Sequence, residues 1–187
     1  MISLEWVKDY IDISDQDLEE LAVKITQSGI NVEKVITNHI NNLVIGEVLE
    51  CVAHPDSDHL HVCKVNVGNI TEQIVCGAPN VREGLKVIVA LPGAVLPGDF
   101  EIKKSKIRGV ESNGMLCALY ELGLEEKNDE TYAKGIEELG ADAPVGEDPL
   151  KYLGLDDTLY ELDIHKHRNN DCYYHIGFAY EIGAILN

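Results

Sequence analysis

Between residues 43 and 117 the chain runs through short β-rich stretches divided by Gly, Pro, Asn and Asp, with no long helix between them. This succession limits the fold more than any other feature. Strands are predicted near 43–52, 60–67, 72–76 and 86–91, with shorter ones near 101–107 and 114–117. Turn signals fall at Pro55-Asp56, Gly68-Asn69, Gly77-Ala78-Pro79-Asn80 and Leu91-Pro92-Gly93, residue types that supply the fixed or positive φ of tight turns. Short strands at this spacing point to a small barrel. Closure is favoured because nothing in the segment could cover two open sheet edges.

The flanks differ. Ser14, three positions before Asp17, reads as a helix N-cap in a variant of the capping box. Leu18, Leu21, Ala22 and Ile25 follow at helical spacing and Gly29 sits where a C-terminal cap belongs. Leu4, Val7 and Ile11 suggest a short amphipathic piece anchored by Trp6, and Ile30 to Ile36 reads as a strand. Residues 121–150 are acidic and rich in Gly and Pro, with a short helix near Glu121, and read as an exit linker. Residues 159–164 alternate as a strand. From Asp171, an expected N-cap, a helix runs to Leu186 with Ile176, Ala179, Tyr180, Gly183 and Leu186 on one face. Neither end buries much by itself. The economical arrangement is α+β: one small α+β domain built from residues 1–40 and 151–187, with a β-barrel inserted as residues 41–150.

With 187 residues, 45% of them apolar, the chain has material for a real core. No stretch approaches the ~18 apolar residues that span a membrane, and the first residues lack a signal-peptide pattern, so a soluble, cytoplasmic protein with no membrane partner is expected. The five cysteines are scattered, with no CxxC, which suits reduced thiols rather than a zinc ribbon or redox motif.

The formal charge of −18 argues against broad nucleic-acid binding. Its distribution matters more. Residues 1–40 hold 3 basic against 8 acidic side chains, residues 41–120 hold 7 against 9, and residues 121–187 hold 5 against 16. Most of the central cations fall in one cluster, Lys103, Lys104, Lys106 and Arg108. An acidic envelope around a basic strand would repel RNA everywhere but one place, or simply keep the protein soluble.

Alternation along that strand puts Lys104, Lys106 and Arg108 on one side beside Ile102. A spacing of about 6–7 Å suits successive phosphates; the competing reading is an edge strand guarded by lysines. Asn80, Arg82 and Lys86, after the Gly77-Ala78-Pro79 turn, could extend the basic track or be ordinary turn chemistry. Phe100 is the only aromatic between 41 and 119. Recognition would then rest on shape and phosphate, which fits a folded RNA. His59, His61 and Cys63 share a strand face but continue into the apolar row of Val65 and Val67, so no metal site is assigned. His165, Lys166, His167 and Arg168 read as a surface loop. No catalytic residue is assigned: Asp56 and Asp58 fit an Asx-type turn, Ser105 and Ser112 have no evident base, and no phosphate-cradling glycine motif occurs.

Several runs carry a resemblance. They are Ile45-Gly46-Glu47-Val48, the stretch His54-Pro55-Asp56-Ser57-Asp58-His59-Leu60, and Ile74-Val75-Cys76-Gly77-Ala78-Pro79-Asn80-Val81. Val89-Ala90-Leu91-Pro92-Gly93-Ala94 and the stretch from Lys106-Ile107-Arg108-Gly109 to Gly114-Met115-Leu116-Cys117 belong with them. Together they resemble the tRNA-binding OB-fold domain shared by several synthetases and their accessory proteins. With Ser3-Leu4-Glu5-Trp6, Glu121-Leu122-Gly123-Leu124 and Glu161-Leu162-Asp163-Ile164, the whole chain is similar to the N-terminal part of the bacterial phenylalanyl-tRNA synthetase β subunit.

The resemblance implies an OB-fold β-barrel inserted into a small α+β domain, tRNA as a partner, and a much longer subunit of which this chain is a fragment. It further implies an α subunit bearing the aminoacylation site, in a heterotetramer of two α and two β. ATP and magnesium would serve the whole enzyme and lie outside this fragment. The chain departs from the family at His165-Lys166-His167, where Thr-Pro-Asn is usual, at Tyr173-Tyr174-His175, and at Ala118, where Ser is usual. Two other readings stay open: a free-standing OB-fold tRNA-binding protein, and a purely structural subunit-docking module.

Overall fold

The structure, a computed structural model, describes residues 1–168, 172 and 174–186. The chain divides into two compact units, Met1–His39 with Gly154–Asn187, and Ile40–Leu153. The first unit opens with β1 (Ile2–Ser3), α1 (Leu4–Val7), α2 (Leu18–Gln27) and β2 (Asn31–Thr37). Asp17, rather than Ser14, caps α2, its carboxylate accepting from Glu20 N–H at 2.9 Å. Ser14 sits one turn too early and gives its own N–H to Asp12. The helix ends where Gly29 takes φ +106°, a backbone that side-chain-bearing residues resist.

The second unit holds β3 (Leu43–Ala53), β4 (His61–Asn66), β5 (Thr71–Cys76), β6 (Lys86–Ala90), β7 (Val95–Leu96), β8 (Phe100–Glu101), β9 (Ser105–Ile107), β10 (Val110–Ser112) and β11 (Met115–Cys117). A 3₁₀ turn at Leu119–Leu122, α3 (Asp129–Lys134), β12 (Glu138–Leu139) and α4 (Pro149–Tyr152) complete it. The main sheet is antiparallel in the order β11-β6-β3-β4-β5, with β12 sharing the β11 edge of β6. It curls into the small barrel that the strand pattern predicts, OB-like as the resemblance implies. Asn113 N–H reaches Gln73 O at 2.8 Å and Val75 N–H reaches Ser112 Oγ at 3.0 Å, bringing the last strands round to β5. Val48, Cys63, Val65, Ile74, Val87 and Val89 fill the interior, all with 0% exposure. A Cβ at Gly46 would lie 2.5 Å from Val89 and 2.7 Å from Val65, so the barrel closes over a position with no room for a side chain.

Residues 121–150 are packed onto the barrel rather than strung out as a linker. β12 pairs with β6, Gly146 N–H binds Ile45 O and Ile45 N–H binds Glu147 O, each at 2.8 Å. An acidic, Gly/Pro-rich stretch looks like a linker because its bonding partners lie on strands far away in sequence.

β13 (Thr158–Asp163) and α5 (His175–Leu186) return the chain to the first unit, where β13 lies between β1 and β2. Leu21, Ile25, Tyr160, Phe178 and Ile182 make that unit's core, with Tyr160 and Phe178 edge to face at 6.4 Å. Burial of each such side chain contributes about 1.5–3 kcal/mol. The buried face of α5 is Phe178, Ala179 and Ile182, while Ile176 and Tyr180, expected to face inward, are 47% and 75% exposed. Apolar residues occupy both sides of α5, so spacing does not single out the inner one. Trp6 is 62% exposed and packs on the His175 ring at 4.9 Å rather than anchoring in the core. The expected Asp171 cap lies outside the described residues.

Candidate nucleic-acid interface

The basic cluster is a hairpin and not one continuous strand. Buried Ile102 pins its start, accepting from Gly93 N–H and donating to Ala94 O, both at 2.8 Å. Lys103 and Lys104 follow in irregular backbone. β9 then turns into β10 through Arg108-Gly109, with φ of +46° and +85°. Positive φ at both central positions is the two-residue turn whose twist matches paired strands. Arg108 therefore sits at the apex, and the strict alternation expected for Lys104, Lys106 and Arg108 is broken there. All four cations remain on the exposed surface of the hairpin.

Its charge is only partly compensated. Lys106 stands opposite Glu111 in the register, with Nζ at 3.6 Å, and Lys103 meets Glu101 at 2.7 Å. These pairs are well exposed, and such pairs are weak, so a phosphate can replace either carboxylate at little cost. Lys104 makes no ion pair among the described residues.

A buried histidine seats the apex. His54, 4% exposed, accepts Asp56 N–H on Nδ1 at 3.1 Å, so the neutral ring carries its proton on Nε2 and donates it to Ile107 O at 3.1 Å. Arg108 Nη1 donates to Asp56 O at 2.8 Å, leaving most of the guanidinium fork outward. On the other side Gln73 Nε2 donates to Glu111 O and Asn113 Nδ2 to Glu72, at 2.8 and 2.9 Å. Sequence reasoning took the His54-Pro55-Asp56 stretch for a turn; the structure adds that it is the hairpin's socket. The side-chain bonds local to that turn come from the His54 ring and from Ser57 Oγ, which accepts His59 N–H at 3.4 Å, beside the backbone bond from Ser57 N–H to His54 O at 3.3 Å.

Asn80, Arg82 and Lys86 are engaged with residues 136–143 rather than with the hairpin. Asn80 Nδ2 donates to Ile136 O at 2.8 Å while its Oδ1 accepts Ile136 N–H at 3.0 Å. Arg82 grips Glu138 with both arms at 2.9 and 2.8 Å. The Arg82 bonds, then those of Asn80, hold the Glu138 carboxyl below its usual range. Lys86 Nζ donates to Ala141 O and Ala143 O at 2.7 and 2.6 Å. These three side chains strap residues 136–143 to the barrel.

A cleft of about 720 Å³ opens beside β5 and β11, lined by Val75, Met115, Tyr120, Glu121, Tyr132 and Ile136 among others. Lys127 Nζ lies 5.5 and 5.9 Å from the centroids of Tyr120 and Tyr132. Burial raises the Glu121 carboxyl even though it accepts Ala118 N–H at 2.8 Å. Sequence reasoning missed this aromatic surface because Tyr120 just follows the last predicted strand and Tyr132 lies in the stretch read as a linker. Tyr120, three residues after Cys117, was the available signal.

Among the described residues no three His, Cys, Asp or Glu side chains converge on a metal position. His61, Cys63 and Val65 run along β4 into the barrel core. No helix among the described residues is long and apolar enough to cross a membrane. Of the 165–168 loop, Arg168 pairs with Glu181 at 2.5 Å.

The family described as "Putative tRNA binding domain" matches residues 43–148. Over 190 residues the chain is 48% identical to the phenylalanine–tRNA ligase β subunit of Geobacillus kaustophilus, covering 100% of this chain and 24% of that protein. The β subunit of Oceanobacillus iheyensis is 49% identical over 192 residues, with the same coverage of 100% and 24%. That of Bdellovibrio bacteriovorus is 48% identical over 191 residues, covering 99% and 23%. The chain thus spans about a quarter of the length of these curated relatives.

Proposed function

The chain belongs to the tRNA-binding domain family, and from that premise we propose that it is the tRNA-binding and scaffolding region of a phenylalanine–tRNA ligase β subunit. The observation that carries this reading is the family match over 43–148, which takes in every strand of the barrel sheet and the whole basic hairpin. In the cytoplasm the whole enzyme, a heterotetramer with an α subunit, would join phenylalanine to its tRNA with ATP and magnesium held outside this region. The residues of this chain bind and position.

Lys103, Lys104, Lys106 and Arg108 meet the tRNA phosphates, with His54 holding the hairpin in place beforehand. Lys103 and Lys106 exchange an exposed carboxylate for a phosphate, and Lys104 joins them without giving up an ion pair. The acidic remainder of the surface repels RNA bound in any other orientation. The Tyr120 and Tyr132 cleft offers a stacking surface to an unpaired base nearby. Titration of the purified chain with phenylalanine tRNA at several salt concentrations tests this. Three phosphates neutralised among these four cations give a log–log slope of about −2 to −3. Binding that is absent, or indifferent to salt, overturns the reading.

A further inference from the structure

Cys51 on β3 and Cys63 on β4 stand directly opposite each other in the antiparallel register. Opposed residues in such a pair have Cα atoms about 4.5 or 5.5 Å apart, and disulfides span about 4.4–6.8 Å, so either spacing admits a bond. The sulfurs already touch: Cys63 Sγ lies 3.7 Å from Cys51 Sγ and donates its S–H to it. Closure to about 2.05 Å is then chiefly a matter of side-chain rotation. The two thiols are also unequal, Cys63 being fully buried and Cys51 half-buried. A third thiol, Cys76, is nearby but only 6% exposed, and its Sγ accepts Ala78 N–H at 3.4 Å.

We propose that Cys51 and Cys63 are a cross-strand dithiol that low-molecular-weight disulfides convert into an intrachain disulfide, stapling β3 to β4. The Cys51 thiolate, reachable from solvent and receiving an S–H from Cys63, attacks one sulfur of the small disulfide. A mixed disulfide forms at Cys51 and one small thiolate leaves. Cys63 then gives its proton to a solvent base and attacks Cys51 Sγ, expelling the second small thiolate. Two protein thiols are oxidised and one small disulfide is reduced to two thiols. Burial, and then the neighbouring Cys51, push the Cys63 thiol well above its usual range, so the second step is the slow one. The bond would close the 51–63 loop, which carries His54 and Asp56, the seat of the basic hairpin.

Incubation of the purified, reduced chain with excess oxidised glutathione tests the proposal. Both cysteines lie on tryptic peptide 35–64 and Cys76 on peptide 65–82, so the location of the bond is readable by mass. The expected product is peptide 35–64 lighter by two hydrogens, closed to alkylation at both cysteines, and reopened by dithiothreitol. Cys76→Ser should leave that product unchanged, and Cys51→Ser should abolish it. Cys63→Ala, with its fold checked by circular dichroism, should trap glutathione on Cys51. A wild-type mixed disulfide at Cys51 that never closes overturns the proposal, as does a bond joining peptides 35–64 and 65–82.

Discussion

The basic stretch 103–108 and the set Asn80, Arg82 and Lys86 are built from similar side chains on the same barrel, yet the fold engages them differently. In the hairpin the cations look outward, two of them against weak exposed carboxylates, while Lys104 and Arg108 make no ion pair among the described residues. In the other set each side chain bonds to the 136–143 segment, across 55 to 58 residues of sequence. A basic residue near a turn stays open to solvent or becomes a structural strap according to what the fold brings opposite it. Charge and spacing along the chain do not decide this.

The largest effect that would test the contrast is on binding. Replacing Lys103, Lys104, Lys106 and Arg108 by Gln should lower tRNA affinity by roughly 100-fold at physiological salt and flatten the log–log slope by about 2–3. The thermal midpoint should hardly move, because exposed side chains away from caps and cores change stability little. If affinity and slope both persist, the track lies elsewhere and the two regions are not functionally different.

A smaller effect, on stability, comes from the strap. Asn80→Ala leaves Ile136 N–H and C=O without their partner at a buried residue, and should cost about 1–3 kcal/mol in denaturant unfolding. tRNA affinity per folded molecule should stay within about twofold. A variant that loses binding in proportion would mean that Asn80 itself touches RNA.

The smallest effect is a pH dependence. Arg82, then Asn80, lower the Glu138 pKa, so their stabilisation is present above the carboxylate's ordinary 4.5 and fades as pH falls through the depressed folded value. Arg82→Gln should therefore flatten the acid limb of the stability profile below about pH 4.5 and leave the salt slope of tRNA binding untouched. Parallel acid limbs in the two proteins would show that the exposed pair contributes nothing measurable, as such pairs often do.

The α5 helix gives the same lesson in apolar residues. Its end at Leu186 was readable from the apolar run, but of the expected inner face Ile176 and Tyr180 proved exposed, while Phe178 and Ile182 join Ala179 in the core. Where both faces are apolar, only the sheet packed beneath picks one. In α2 the face was readable: Leu18, Leu21, Ala22 and Ile25 recur at helical spacing apart from Glu19, Glu20 and Lys24, and Leu21, Ala22 and Ile25 are buried with Leu18 packed against them. Its cap was misplaced by three residues, since Ser14 and Asp17 are both competent acceptors and the first turn of backbone chooses between them.

The sequence by itself determined the four long strands between 43 and 91 and the short one ending at Cys117, most of the turns between them, the basic cluster and the core alternation, because these are decided by φ/ψ preference and by neighbours two to four residues apart. Tertiary structure decided that Arg108 caps a hairpin seated on His54, that residues 121–150 belong to the barrel, and that Arg82 and Lys86 fasten it. Those outcomes depend on pairings of groups more than fifty residues apart, such as Arg108 with Asp56 and Asn80 with Ile136. The buried end of such a bond must find a partner wherever the fold places one, and no pattern within a single element can say where that is.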